Sequence, residues 1–172
     1  MADTRTEQGS PFWRFSLRFY RRPGVADACI VLQDGCGVDV NVLLFFLWLA
    51  VARRCISPAA AKAVCAKVAP WRDEVVVPLR TLRRRLKDGS LLVEPGATEL
   101  FRIKIKAIEL ESERLQQEEM FALAAGLTTE NASTVEGAAR ANVAAYEQAL
   151  ARTFAPDAVS VLLAALPAEE PA

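Results

Sequence analysis

The chain contains no histidine. That absence removes the commonest general base, the Ser-His and Cys-His nucleophile pairs, and the usual zinc ligand. It also excludes a Glu-x-x-His di-iron pattern. Neither GxxxxGK[ST] nor GxGxxG can be read anywhere, so no glycine-rich phosphate loop is expected. Net charge is zero, with 21 Lys/Arg against 21 Asp/Glu, and a global basic field for nucleic acid is missing. The longest apolar run, Val42 to Ala52, is eleven residues. A membrane span needs roughly 18–20, so no membrane span is expected. The opening MADTRTEQGSPFW has no apolar leader segment, which favours the cytoplasm and reduced thiols. The four cysteines, Cys29, Cys36, Cys55 and Cys65, form no CxxC pair, so neither a metal site nor a cofactor is expected. Strand-like alternation and internal repeats are also lacking.

What is present is a composition suited to one folded domain: 172 residues, 52% hydrophobic and 8% aromatic. The chain is organised around Pro23 to Cys55. Its all-apolar segment predicts a central helix, about 40–54, with Asp39 as cap, buried by other helices. Ser10-Pro11 predicts a first helix with Phe12, Phe15 and Phe19 on one face. A second helix is expected from Val25 to Gln33, ended by Gly35 and Gly37. Ser57-Pro58 starts a fourth helix to about Val68. Pro70-Trp71 opens a fifth to about Lys87, kinked at Pro78, with Val75, Leu79, Leu82 and Leu86 as its apolar stripe. After a loop from Leu91 to Gly96, a long helix is expected over about 98–125. Phe101, Ile105, Ile108 and Leu115 form its core face, widened by Leu100, Ile103, Ala107 and Leu110. Ser133 and Glu136 read as a capping box for an alanine-rich helix to about Arg152, and Pro156 begins a short last one. The fold class is all-α: a compact helical bundle around the central helix. Residues 10–125 form the core domain, 126–166 a looser C-terminal helical extension, 1–9 a disordered lead and 167–172 a disordered tail.

Several motifs in this order resemble a known family. They are the aromatic helix FWRFSLRFY, then YRRPGV, ACIVLQ, DVN before the apolar helix with its Trp, and later APWRDEVVVPLRTLRRRLK followed by IKAIELESERLQ. Over about residues 11–122 the chain resembles a family of small proteobacterial proteins known only as a domain of unknown function. The resemblance implies a compact bacterial cytosolic helical domain and assigns no activity, cofactor or catalytic residue.

Two groups of residues are candidates for a site. Gln33, Asp34, Asp39 and Asn41 flank the loop into the central helix. They are suited to a small-ligand or enzymatic pocket, or to capping and satisfying backbone groups. Arg80, Arg83, Arg84, Arg85 and Lys87 form a basic stripe. With Trp71 it is suited to a protein interface, or alone to phosphate contacts with nucleic acid. The acidic stretch Glu109 to Glu119 offers that stripe counter-charges within the chain, which makes nucleic acid the less favoured partner. Cys36, between two glycines, is expected to be the most reactive thiol. With no catalytic set, the leading expectation is a non-enzymatic module that binds a protein partner, another copy of itself included.

Overall fold

Eleven apolar residues in succession cannot offer water one face, and the helix that contains them is buried on nearly every side. The structure, a computed structural model, describes residues 9–88 and 93–167. Most of the expected lead and tail, and part of the expected loop 91–96, lie outside the described residues. Among the described residues the fold is all-α with one two-residue ladder, as the sequence predicts. The chain divides into two compact units, Met1–Ala66 with Gln117–Ala172, and Lys67–Gln116.

In the first unit, helix α1 (Pro11–Tyr20) starts where Ser10 Oγ accepts from the Trp13 amide at 3.1 Å. It buries Phe12, Phe15 and Phe19 as expected, and Trp13 with them. Helix α2 spans Val25–Cys36, three residues beyond the expected end. Asp34, Gly35 and Cys36 complete its last turn. Gly37 alone terminates it, at φ 69°, a left-handed position that favours glycine. Helix α3 (Val40–Val51) is capped by Asp39, whose Oδ1 accepts from the amides of Asn41 at 2.9 Å and Val42 at 3.4 Å. Phe45 of α3 meets Phe12 edge-on at 5.3 Å. The helix stops short of the expected Arg54. Arg53 turns to φ 56°, and Arg54–Cys55 (β1) pairs antiparallel with Glu130–Asn131 (β2), Arg54 opposite Asn131.

Helices α7 (Val135–Leu150) and α8 (Pro156–Ala165) also lie in this unit. The expected boundary near residue 125 therefore does not separate compact units. Large apolar residues are sparse in α7, but its alanines allow close approach to α3. Ala138 and Ala139 are fully buried, and Tyr146 stands edge-on to Phe46 at 5.1 Å. The cap of α7 is Thr134 rather than Ser133: its Oγ1 accepts from the Gly137 amide at 3.0 Å.

The chain enters the second unit along α4 (Pro58–Trp71), which continues through a π turn, Arg72–Val76, into α5 (Val77–Arg85). Two helices with a kink at Pro78 were the expectation; one continuous helix with a widened turn is the finding. The Val77 amide donates to the Arg72 carbonyl, five residues back. Pro78 supplies no amide, and its ring would crowd the carbonyl of Glu74, so a wide turn just before it relieves the clash. The extra residue also rotates the apolar register. Val76 is buried, whereas Val75 and Leu79 are half-buried and Leu82 is exposed. Helix α6 (Pro95–Ala124) starts three residues earlier than expected. Pro95 sits at its first position, and the Glu94 carboxylate accepts from the amides of Gly96 and Ala97 at 2.8 and 2.9 Å. Among the described residues, no helix is long and apolar enough to cross a membrane.

Candidate functional site

The polar group before α3 is divided by the fold. Asp39 and Asn41 are buried. Asp39 carries the helix cap, and its amide donates to Tyr146 Oη at 3.0 Å. Asn41 Oδ1 accepts from Gln117 Nε2 of α6 at 2.7 Å, so this amide at the mouth of an apolar helix is partnered inside the unit. Gln33 and Asp34 lie instead in the last turn of α2, half-buried and exposed, with Gln33 Nε2 donating to Asp34 Oδ1 at 3.4 Å.

The thiols differ in their surroundings. Cys29 is buried on α2, and burial pushes its thiol up to about 12. The Cys55 thiol is also raised, first by burial and then by the Glu130 carboxylate. Cys36 is half-buried, and its Sγ donates to the Thr153 carbonyl at 3.6 Å. No disulfide joins any of the four cysteines.

In the second unit the basic stripe meets acidic residues of α6. Arg80 Nη2 lies 2.8 Å from Glu113 Oε1, and its Nε 3.3 Å from Glu109 Oε1. Arg83 pairs with the same Glu109 through both Nε and Nη2. Glu109 is thus a nearly buried carboxylate between two guanidiniums. Its hydrogen bond is the largest cause of the raised pKa of Arg83. Trp71 Nε1 donates to the Ser112 carbonyl at 3.0 Å, which fixes the indole on α6 while its rim stays exposed. Arg84, Arg85 and Lys87 are exposed.

The feature that the sequence did not disclose is an apolar surface. Phe101, Ile108 and Leu115 were expected in the core, yet they are 50%, 53% and 43% exposed. Leu100, Ile103 and Leu110 are exposed too; of the expected face only Ile105 is buried. Helical periodicity puts Phe101, Ile108 and Leu115 on one face and Ile103 and Leu110, two residues from them, on the other side, but it cannot say which side of the helix the rest of the chain covers.

The all-α fold, with one two-residue ladder among the described residues, places the chain among helical proteins. The chain belongs to the family described as protein of unknown function (DUF2390), whose model matches residues 11–120. No curated protein and no solved structure matches it.

Proposed function

We propose that the chain is a cytosolic, non-enzymatic protein-interaction module that docks through the exposed apolar face of α6. One observation carries the reading. Among the described residues of the second unit, Val68, Val76, Leu86 and Ile105 are the buried large apolar side chains, whereas Trp71, Val77, Leu82, Val93, Leu100, Phe101, Ile103, Ile108, Leu110 and Leu115 are exposed. Single exposed apolar residues are ordinary, but a helix that exposes most of its apolar side chains has the composition of an interface. The indole of Trp71, fixed by Ser112, adds an aromatic anchor of the kind that dominates binding energy. The ion pairs of Arg80 and Arg83 with Glu109 and Glu113 support a structural part for that portion of the basic stripe, which weighs against nucleic acid.

The test is affinity capture from native lysate with the wild type beside a Phe101→Ser/Ile108→Ser variant. Both side chains are exposed, so the variant is expected to keep its helical circular dichroism. One protein enriched by the wild type and lost with the variant is the expected result. Identical recovery with both would remove α6 as the docking surface.

A further inference from the structure

We propose that the occupant of the α6 face is a second copy of this chain, paired antiparallel about a two-fold axis at Ile108. The inference rests on the docking reading above and names its partner. Phe101, Ile108 and Leu115 are spaced seven residues apart. An α-helix drifts only about 20° per seven residues, so the three stay on one face. Lys104 and Glu111 are exposed along one flank of that line, where Glu111 also pairs with Arg114 of its own helix at 2.6 Å and keeps its outer edge toward solvent.

Their positions make the face complementary to itself. A two-fold axis at Ile108 places Phe101 opposite Leu115 of the second copy, Ile108 opposite its own equivalent, and Leu115 opposite Phe101. Lys104 lies four residues before Ile108 and Glu111 three residues after it. Antiparallel pairing therefore sets each Lys104 beside Glu111 of the other copy, twice by symmetry. Parallel pairing of the same face would instead set Lys104 against Lys104 and Glu111 against Glu111. A closed, isologous two-fold contact is the commonest solution for soluble oligomers. The apolar seam spans about 21 Å of helix at 1.5 Å per residue. That is small against the ~800 Å² per partner of a standard stable interface, so a micromolar monomer–dimer equilibrium is expected.

Sedimentation velocity on the purified full chain, from about 1 to 300 µM, reads this equilibrium in the micromolar range of a weak complex. The wild type should shift from monomer to dimer across that range. Ile108→Glu, which sets two carboxylates against each other at the axis, should stay monomeric with unchanged helicity and melting. Lys104→Glu or Glu111→Lys alone should weaken the dimer about tenfold, and the two together should restore it, because the exposed pairs are modest but doubled by symmetry. A wild-type monomer throughout, a dimer that survives Ile108→Glu, or a double variant no better than the singles would overturn the proposal. A monomer that still captures a protein in the lysate experiment would sink the second-copy assignment alone. A monomer that captures none would sink the docking reading too.

Discussion

Asn142 has no exposed surface, and its amide closes three hydrogen bonds. Nδ2 donates to the carbonyls of Phe46 and Arg54, and Oδ1 accepts from the Ile56 amide, each at 2.9 Å. The residue holds the end of α3, β1 and α7 together where the backbone leaves regular structure. Asn142→Ala should cost about 3 kcal/mol in denaturant unfolding, because it strands buried donors and acceptors at roughly 1–3 kcal/mol each. Ser16 is the contrasting case. Its Oγ is buried without a hydrogen-bond partner among the described residues. Ser16→Ala should be neutral within about 0.5 kcal/mol or stabilising, because no bond is lost and the hydroxyl no longer has to be desolvated. Cys29 gives a pH dependence. Burial keeps its proton on in the folded state up to about 12, against an ordinary 9.0. The unfolded chain sheds that proton near pH 9.0, so the contribution is intact below that pH and declines as pH rises toward 12. Unfolding free energies measured across this window should fall less steeply for Cys29→Ala than for the wild type. Neither the place of Asn142 nor the lack of a partner for Ser16 was legible in the sequence. An alanine-rich helix gives no hint that one of its amides serves three backbone groups on other elements.

At the scale of elements, Glu109 joins α5 to α6. Its carboxylate meets both Arg80 and Arg83. Glu109→Ala takes this carboxylate from the part-buried Arg83 and leaves Arg80 its pair with Glu113, and should lower stability by roughly 2 kcal/mol, below the figure for fully buried pairs because the arginines remain partly solvated. Glu109→Gln should recover part of the loss; equal melting temperatures for wild type and Glu109→Ala would contradict the assignment. The opposite charges of these two helices were legible, since adjacent basic and acidic stretches in one chain invite pairing. The π turn was not. Proline at position 78 announces a disturbance, but whether the helix kinks, breaks or widens depends on which carbonyls can find other donors. The same turn moved Val76 into the interior, while of the expected stripe Leu86 is buried and Val75, Leu79 and Leu82 are not.

For the molecule as a whole, the two units should differ in local stability. The first encloses α3 with its many buried apolar side chains, and the second has only a thin apolar interior among its described residues. Native-state hydrogen exchange should therefore find amides of α5 and of residues 99–115 opening at least about 2 kcal/mol more easily than those of α3 and α7. Raising protein concentration should slow exchange in residues 99–115 if a second copy covers them, and leave α3 unchanged.

The sequence by itself determined the all-α class and the buried central helix, because an apolar run of that length fixes its own surroundings. It also determined the starts at Ser10-Pro11 and Asp39, because those residues act on backbone groups within a few positions. The tertiary structure alone decided that residues after 125 belong to the first unit. It alone decided that Asp39 and Asn41 are used inside the fold, and that the apolar face of α6 is exposed. Each of these depends on which distant segment lies against which face, and a periodic pattern marks a face without naming its occupant.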